Sequence, residues 1–296
     1  MNSYVLSCCS TVDLTPAWLD ERDVHYVYFN YGLNDVWYKD DFGKSVPPKE
    51  LYRRMLAGER ATTSQVGVGD YLEFFRPFLQ EGRDILHVTV SSGISRTIDS
   101  ANIAAEQLRE EFPERTIYVI DSLCASAGYG MLVGRLSELR AQGMGIDELA
   151  RWCEEHRLEV NHLFYSSDLT FYIKGGRISP AAGAVGNLFE ICPLMYVAPD
   201  GGLRVKEKVR SKNRVKARMV DRMEQLADGG LSYDGPVYMS QSECLEDACD
   251  VARMIEERFD HIQGGKVEVF SIGATIGVHA GPGTVALFFW GNPERW

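Results

Sequence analysis

Side-chain hydroxyls cluster in two short segments of this 296-residue chain, about thirty residues apart. The first is ATTSQ, Ala61 to Gln65, and the second is SSGISRT, Ser91 to Thr97. The second follows a strand-like run and precedes a helix pattern, so we expect it to form a loop at a strand end. Serine and threonine at such a position can present hydroxyls and free backbone N–H groups to an anion.

A third segment, GVHAGPG from Gly277 to Gly283, supplies a histidine and three more glycines far downstream. Glycine lets the backbone approach a ligand closely because it has no Cβ atom. Together, the three segments predict a loop-built site in which neutral hydroxyls and a histidine hold a small acidic group.

Each segment also has a purely structural interpretation. Ser95 stands just before a helix pattern at Ile98–Glu111, and Thr63 stands before one at Gly67–Leu79, so either side chain can serve as an N-cap. The segment Gly277 to Gly283 can be a glycine-rich turn between strands. The sequence leaves these interpretations open for each segment alone, and the combination favours a binding site.

Strand and helix patterns alternate along the first half of the chain. The strand patterns lie at Tyr4–Cys8, His25–Tyr31, Ile85–Val90 and Thr116–Asp121, and the helix patterns lie at Pro48–Ala57, Val68–Leu79, Ile98–Glu111 and Ala125–Gln142. Such alternation favours a mostly parallel sheet covered by helices.

The pattern changes near residue 160. Strands are predicted at Asn161–Ser166, Leu194–Ala198, Gly202–Val209, Val237–Gln241, Lys266–Ile272 and Val285–Trp290, and helices at Ile146–Arg157 and Pro180–Phe189 and from Arg214 and Cys244. The strands Leu194–Ala198 and Gly202–Val209 would form a hairpin closed at Pro199-Asp200-Gly201. We therefore predict an α/β protein with two domains. Residues 1–160 would form an N-terminal α/β domain, residues 161–296 a C-terminal α+β domain, and the ligand would lie in the crevice between them.

The composition is that of an ordinary globular protein, with 45% hydrophobic and 25% charged residues. No apolar run approaches the ~18 residues that cross a bilayer, and no signal-peptide pattern is visible, so we expect a cytoplasmic protein without a transmembrane segment. The net charge of −11 argues against general nucleic-acid binding. The seven cysteines form no C-x-x-C pair and predict reduced, buried thiols, and no histidine spacing predicts a metal site.

The segment GYGMLVG, Gly128 to Gly134, superficially resembles a dinucleotide-binding fingerprint. Its spacing is G-x-G-x-x-x-G within a helix pattern, so we predict that its glycines let this helix pack closely on a sheet. The chain also has no G-x-x-x-x-G-K-[ST] phosphate-binding loop. We therefore expect no bound cofactor, and a kinase reaction would need a partner protein.

Basic residues occupy every second position from Arg204 to Arg218. The first half of this stretch alternates like a strand with one charged face, and the second half is typical of the start of a helix. One interpretation is a solvated face. The other is a local positive field for a carboxylate, a phosphate or an acidic partner.

Six motifs, in their order along the chain, resemble those of the DegV family. They are Ser10-Thr11-Val12-Asp13-Leu14, Thr63-Ser64-Gln65, Ser91-Ser92-Gly93-Ile94-Ser95, Val119-Ile120-Asp121-Ser122, Lys174-Gly175-Gly176-Arg177-Ile178 and Gly277-Val278-His279-Ala280-Gly281-Pro282-Gly283. The resemblance covers nearly the whole chain. It implies a bacterial fatty-acid carrier, not itself an enzyme, that presents a long-chain fatty acid to a separate fatty-acid kinase for conversion to acyl phosphate, with transient membrane contact at most.

The same resemblance implies the roles of individual residues. Thr63 and Ser95 would contact the carboxylate, and His279 would support that network. Arg177 and Arg210 match family arginines near the ligand end, where they would supply charge to the carboxylate or a phosphate. The residues that would support the contacting hydroxyls are Ser64, Gln65, Ser92 and Gly93.

A long acyl tail requires a deep apolar channel, because burial of its methylenes supplies most of the affinity. The candidate wall residues are Phe74, Phe75, Phe78, Leu188, Phe189, Ile191, Ile276, Phe288 and Phe289.

Some positions depart from the family pattern. Val66 stands where a proline usually follows Thr-Ser-Gln, and Ile98 replaces a tyrosine. Arg96 replaces a glycine and adds a cation beside Ser95. An alternative function follows from the related dihydroxyacetone-binding kinase subunits, in which a histidine bonds covalently to a ketone; His279 would then be the nucleophile.

Overall fold

The structure is a computed structural model that describes residues 4–180 and 191–296. Its strands are β1 (Tyr4–Cys9), β2 (Val24–Val27), β3 (Asn30–Leu33), β4 (Val36–Lys39), β5 (Ala61–Ser64), β6 (Asp84–Thr89), β7 (Ile117–Asp121), β8 (Val160–Ser166), β9 (Ile191–Val197), β10 (Leu203–Arg210), β11 (Tyr238–Gln241), β12 (Glu268–Ser271) and β13 (Thr284–Trp290). Its helices are α1 (Pro16–Asp20), α2 (Pro48–Leu56), α3 (Val68–Gln80), α4 (Thr97–Glu111), α5 (Ser126–Ala141), α6 (Ile146–His156), α7 (Thr170–Lys174), α8 (Lys212–Leu226), α9 (Leu245–Glu256) and α10 (Ala274–Ala280). The helix predicted at Pro180–Phe189 falls almost entirely outside the described residues.

A four-stranded parallel sheet has the strand order β2-β1-β6-β7. Within it, Leu6 of β1 pairs with Val24 on one side and with Leu86 on the other. Every residue of β1 is buried, because helices α3, α4, α5 and α6 flank the sheet. The predicted parallel sheet with its helical cover is confirmed.

A six-stranded mixed sheet has the order β10-β9-β8-β13-β11-β12. Helices α8 and α9 cover one face, where Val215, Met219 and Val251 pack on Leu163 and Phe289. The predicted hairpin is present as the antiparallel pair β9 and β10. All strands of this sheet start at residue 160 or later, whereas the other two sheets use only earlier strands. The boundary between domains at 1–160 and 161–296 itself stays a prediction.

Helix α5 lies between the two larger sheets and contacts β1 as well as β8, β11 and β13. A Cβ atom on Gly128 would lie 2.5 Å from Nε2 of His162 and from Cδ1 of Phe288, so only glycine permits this approach. Gly130 and Gly134 likewise face side chains that leave no room for a Cβ atom. The predicted close packing on a sheet is confirmed for Gly128, whereas Gly130 and Gly134 pack on Leu14 and Trp18, which lie outside the sheets.

The single strand predicted at His25–Tyr31 is wrong. Strand β2 ends at Val27 in the parallel sheet, and β3 begins at Asn30 in a small antiparallel sheet of order β4-β3-β5. Between them, the backbone N–H of buried Phe29 donates to Oγ of Ser10 at 3.1 Å instead of to a strand partner. This side-chain acceptor ends one strand and lets the chain enter the next sheet.

The segment Ala61–Gln65, predicted as a loop, is also corrected. Its first four residues form β5, in which Thr63 pairs with Tyr31 and Thr62 pairs with Gly32. β-branched threonines suit a pleated strand, and the partner strand lies about thirty residues earlier, where local pattern does not reveal it.

All seven cysteines are free; five are buried, Cys244 is half-buried and Cys249 is exposed. Burial raises the pKa of Cys9 to about 12 and so keeps its thiol protonated.

Within residues 4–180 and 191–296, no group of three or more His, Cys, Asp or Glu side chains is placed to hold a metal ion. None of the described helices has the length and apolar character needed to span a membrane.

Candidate functional site

A cavity of about 660 Å³ opens where the three sheets approach one another. This volume lies in the range of about 300–1,000 Å³ that is typical of small-molecule sites. Most of the predicted site residues line it, namely Thr63, Ser64, Gln65, Ser92, Gly93, Ser95, Arg177 and His279. The fold therefore brings together side chains from strand β5, from the loop after β6, from the segment after α7 and from α10.

Thr63, His279 and Arg177 form a chain of hydrogen bonds at the cavity wall. Oγ1 of Thr63 lies 2.7 Å from Nε2 of His279, and Arg177 donates to Nδ1 of His279 at 3.3 Å. A guanidinium can only donate, so Nδ1 accepts and Nε2 carries the proton of the neutral ring. The hydroxyl oxygen of Thr63 accepts the hydrogen bond from this N–H group, and its own O–H remains to donate to an acceptor in the cavity.

The histidine in this chain is neutral. Burial, followed by the positive charge of Arg177, lowers the pKa of His279 to about 4. Burial also lowers the pKa of Arg177, but a guanidinium starts so high that it stays charged near neutral pH. The site thus holds one partly buried positive charge, which reaches the threonine hydroxyl only through a neutral imidazole.

His279 lies on a helix, which corrects the expectation of a glycine-rich loop or turn at Gly277 to Gly283. Helix α10 ends at Ala280, and Gly281 then turns the chain with φ of 68°. A Cβ atom on Gly281 would collide with the ring of Phe171, and one on Gly175 would collide with Nδ1 of His279. Glycine at both positions therefore lets α7 and the following segment close on the histidine.

Two aspartate side chains hold the other end of α10. Asp40 accepts from the backbone N–H groups of Ala274 and Thr275, both at 3.1 Å, and Asp13 accepts from that of Gly273 at 2.9 Å. They satisfy N–H groups that a helix leaves unpaired at its start. Because the caps come from more than 200 positions away, the local sequence did not indicate a helix here.

Sequence reasoning assigned no role to Asp13 or Asp40. Burial, together with the charge of Asp40, raises the pKa of Asp13 to about 8, and burial raises the pKa of Asp40 as well. Asp13 stands within the Ser10 to Leu14 motif, which was a signal that could have indicated it. Asp40 carries no comparable signal, because its partners are close only in the folded chain.

The loop that carries Ser95 is held by polar groups. Oγ of Ser91 donates to the carbonyl of Gly201 at 2.9 Å and accepts from the N–H of Gly93 at 3.1 Å. Oδ1 of Asp121 accepts from the N–H of Ser92 at 3.1 Å. A Cβ atom on Gly93 would collide with the backbone of Gly201, so only glycine fits between the loop and the β9–β10 turn.

The capping interpretations have different outcomes. Thr63 lies within β5, and the N-cap of α3 is Gly67. Ser95 precedes the N-cap of α4, which is Arg96, and its Oγ accepts from the N–H of Thr97 at 3.3 Å. The Ser95 oxygen therefore supports the start of α4, while its O–H proton is left for another acceptor.

The remaining cavity wall is largely apolar. Of the predicted wall residues, Ile276 and Phe288 line it; apolar side chains that sequence reasoning missed are Phe29, Val90, Ile94, Phe164, Val197, Leu203 and Ile272. These residues come from many elements and share no sequence pattern, so only their packing identifies them.

Several predicted wall residues lie elsewhere. Phe74, Phe75 and Phe78 of α3 pack on one another and on the hydrophobic core that includes the side chains of β1 and β6. Phe289 lies on the opposite face of β13 from Phe288, where it contacts Tyr233, because successive strand residues alternate between faces. Ile191 begins β9 without lining the cavity, and Leu188 and Phe189 lie outside the described residues.

The basic stretch forms the outer strand β10 and the first turns of α8, in agreement with its pattern. Lys212 and Lys216 pair with Asp247, and Arg218 pairs with Glu207. Arg210 is exposed at the end of β10 and does not line the cavity. Its role near the ligand end stays a prediction. Because Arg210 does not line the cavity, it is not placed to contact a carboxylate bound inside it.

The family model described as "Uncharacterised protein, DegV family" matches residues 9–292 of the chain. A DegV domain-containing protein of Clostridium perfringens is 30% identical over 295 residues, which cover 100% of both chains. The chain therefore belongs to the DegV family.

Solved structures share its fold. A DegV family protein of Thermus thermophilus, described for its fatty-acid binding, is 24% identical with a TM-score of 0.86 and covers 98% of this chain and 100% of its own. A stearic acid-binding protein of Eubacterium ventriosum is 21% identical with a TM-score of 0.87, at 99% and 100% coverage. The Fatty Acid Kinase (Fak) B3 protein of Streptococcus pneumoniae, loaded with linoleic acid, is 22% identical with a TM-score of 0.83, at 98% and 100% coverage. The predicted α/β fold class is confirmed.

Proposed function

We propose that this protein binds one long-chain fatty acid in the cavity and presents its carboxylate to a separate fatty-acid kinase. The observation that carries the proposal is the placement of the Thr63 and Ser95 hydroxyls, with His279 behind one of them, in a largely apolar cavity. The fatty acids bound by proteins of the same fold support it. So does the kinase association in the name of the Streptococcus pneumoniae protein.

The tail supplies most of the affinity. Burying a methylene contributes about 0.8 kcal/mol, so ~14 buried carbons contribute on the order of 10 kcal/mol before the costs of ordering. The apolar side chains of Phe288, Ile276 and Val197 offer such a surface.

The head group needs donors, because an unpaired carboxylate loses several kcal/mol on leaving water. Thr63 and Ser95 can each donate one charge-assisted hydrogen bond, worth about 1.5–3 kcal/mol. The bond from His279 to Thr63 orients the threonine proton towards the cavity. Arg177, bonded to Nδ1 of His279, then stabilises this polarised chain from behind the histidine.

Hydroxyl donors suit a head group that must react. In the transfer step, a carboxylate oxygen forms a bond to the γ-phosphorus of a nucleoside triphosphate bound by the kinase. The bond from that phosphorus to the bridging oxygen breaks, and the nucleoside diphosphate leaves with its electron pair. A bidentate arginine would engage both carboxylate oxygens, whereas single bonds from Thr63 and Ser95 leave a lone pair available.

The charged groups around the site would serve the same reaction. Arg177 adds positive charge behind the head group, and Arg210 with the rest of β10 offers a positive field to an acidic partner or a phosphate. The expected partners are a long-chain fatty acid and the kinase, with no nucleic acid and only transient contact with a membrane. The expected location is the cytoplasm, where the nucleotide is available.

The alternative, covalent capture of a ketone by His279, has less support. In the neutral ring Nε2 carries the proton that bonds to Thr63, and the Nδ1 lone pair accepts from Arg177. Neither nitrogen is then free to attack a carbonyl carbon.

The first experiment is native mass spectrometry of the purified protein, followed by organic extraction and identification of the bound molecule. We expect one fatty acid per chain. For the delipidated protein, Thr63→Val should lower the affinity for palmitate about 10- to 100-fold, as expected for one charge-assisted bond of about 1.5–3 kcal/mol.

Thr62→Val is the matched control. Thr62 is the adjacent residue of the same strand and faces the opposite side, towards Gly32. Its substitution should leave palmitate affinity unchanged. A protein that carries no lipid and takes up neither palmitate nor oleate would refute the proposal, and a covalent carbonyl adduct on His279 would support the alternative instead.

A further inference from the structure

Arg96 lines the cavity without belonging to the carboxylate site described above. Its side chain is 84% exposed, so it lies at the mouth, directly after Ser95 in the chain. It occupies the N-cap position of the 15-residue helix α4. In the DegV motif that this segment resembles, a glycine stands at this position.

The two arginines that line the cavity differ in what they already bind. The guanidinium of Arg177 donates to the carbonyl of Gly175 and to Nδ1 of His279. That of Arg96 pairs with Oδ2 of Asp99, at 2.7 Å from Nε and 2.6 Å from Nη2. Arg177 is thus committed to the architecture of the site. Among the residues that the structure describes, Arg96 is held only by a carboxylate three residues further along the chain.

The pair of Arg96 and Asp99 is easily exchanged. The side chain of Asp99 is 48% exposed, and ion pairs in such surroundings contribute about 0–1 kcal/mol. A dianion that approaches the mouth can therefore replace Asp99 at little cost. The planar fork of the guanidinium matches phosphate oxygens better than it matches a single carboxylate oxygen.

The two ligands of the proposed function differ at this end of the cavity. A fatty acid places one negative charge on the hydroxyls of Thr63 and Ser95. Phosphorylation adds a group with about −1.5 to −2 charges and three strong acceptor oxygens. That group extends from the carboxylate towards solvent, because the acyl tail fills the apolar interior.

We propose that Arg96 forms an anion subsite at the mouth of the cavity that binds the phosphoryl group of an acyl phosphate. This inference rests on the proposed function and assigns a residue that distinguishes the product from the substrate. On phosphorylation the guanidinium leaves Asp99 and takes the phosphoryl oxygens. The protein then holds the reactive mixed anhydride more tightly than the free acid until an acyl acceptor consumes it.

The test compares palmitate with hexadecylphosphonate, a stable amphiphile with the same chain and a phosphonate head, in competition binding to the delipidated protein. Arg96→Ala should lower the affinity for hexadecylphosphonate about tenfold or more and that for palmitate less than about threefold. Arg96→Lys should lie between wild type and Arg96→Ala, because an ammonium lacks the fork. The loss should shrink as salt rises from about 0.05 M to 0.5 M.

Two further variants sharpen the result. Arg53→Ala removes an exposed guanidinium that also pairs with an acidic residue three positions away, Glu50, but lies on α2 outside the cavity lining. It should change neither affinity. Asp99→Asn removes the competing carboxylate, so hexadecylphosphonate should bind about two- to threefold more tightly while palmitate does not.

The outcomes separate the two proposals. If wild type binds palmitate and Arg96→Ala leaves the affinity ratio of the two amphiphiles unchanged, the subsite is refuted and the fatty-acid site stands. An equal loss for both amphiphiles also refutes it, because Arg96 would then act on any anion. A wild-type protein that binds neither amphiphile refutes the fatty-acid site and the subsite together.

Discussion

Two regions of this molecule, the cavity and strand β10, are suited to binding negatively charged groups, but they use different kinds of side chain. In the cavity, the donors expected to contact the carboxylate are the hydroxyls of Thr63 and Ser95. A neutral His279 bonds to Thr63, and the charged Arg177 bonds to the histidine. Along β10, charged side chains at every second position are exposed to solvent, and Arg210 ends the row. One region uses a few neutral groups at fixed positions, and the other uses many charges at loosely fixed positions.

This difference between the two regions follows from how far their polar groups are shielded from water. Inside a cavity each lost donor leaves an anion unpaired, which costs about 1.5–3 kcal/mol for a charged acceptor. At the surface an ion pair contributes about 0–1 kcal/mol and is screened beyond ~8–10 Å. The cavity should therefore depend on single atoms and the basic strand on its total charge.

Loss of both hydroxyls should have the largest effect. The combined variant Thr63→Val and Ser95→Ala should lower palmitate affinity by about 100-fold or more, because it removes two charge-assisted bonds of about 1.5–3 kcal/mol each. Titration calorimetry of the delipidated protein measures this, and an unchanged thermal midpoint shows that the fold is intact. Affinity within threefold of wild type would contradict the assignment of both residues.

The free energy of unfolding should fall in acid, because the folded protein keeps His279 neutral. Its pKa is about 4 in the folded protein and the ordinary value is 6.5, so the unfolded chain binds the proton first as pH falls. The contribution of His279 to the free energy of unfolding is therefore complete above pH 6.5 and is lost as the pH falls towards 4. The loss is about 1.4 kcal/mol per pH unit and about 3 kcal/mol in total.

Urea unfolding between about pH 7 and 5 measures that slope. His279→Gln should reduce the slope, whereas substitution of the exposed His261 should not. Burial also lowers the pKa of His87 and of His162, and both contribute equally to every variant, so the difference isolates His279. Equal slopes for wild type and His279→Gln would show that the histidine is not held neutral by its surroundings.

Gly175→Ala should act through the same histidine with a smaller effect. The added Cβ atom would collide with Nδ1 of His279, and such overpacking costs about 1–3 kcal/mol of unfolding free energy. Palmitate affinity should fall as well, since the bond from His279 to Thr63 is displaced. Gly69→Ala in α3, where no atom lies within 4 Å of the new Cβ, is the control and should not destabilise the protein. Equal stability of the two variants would mean that the histidine has room to move.

The smallest effects per residue are expected on β10. Arg210→Ala should slow kinase-dependent acyl-phosphate formation by less than about threefold and leave palmitate affinity unchanged, because one exposed charge contributes little. Removing Lys206, Lys208 and Arg210 together should slow it further, and salt should abolish the difference. A large loss of rate from Arg210→Ala alone would indicate that Arg210 makes a specific contact. It would then weaken the contrast between the two regions.

Elements with a strong local pattern were predictable. The helix expected at Val68–Leu79 is Val68–Gln80, and the hairpin around Pro199 to Gly201 is β9 and β10. Elements stabilised from afar were not. Strand β5 needs its partner β3, and α10 needs the side-chain oxygens of Asp13 and Asp40, so their sequences alone are compatible with loops.

The sequence by itself determined the chemistry of the candidate site, since hydroxyls, a histidine and arginines in ordered motifs already pointed to an anion held by neutral donors. It also determined the alternation of strands and helices, because periodicity and turn residues act locally. The tertiary structure decided which of these groups meet. It placed Arg177 behind His279 and Arg210 outside the cavity, and it put Phe288 on the wall and Phe75 in the core. These outcomes depend on how distant elements pack, because a cavity is the space that packing leaves unfilled.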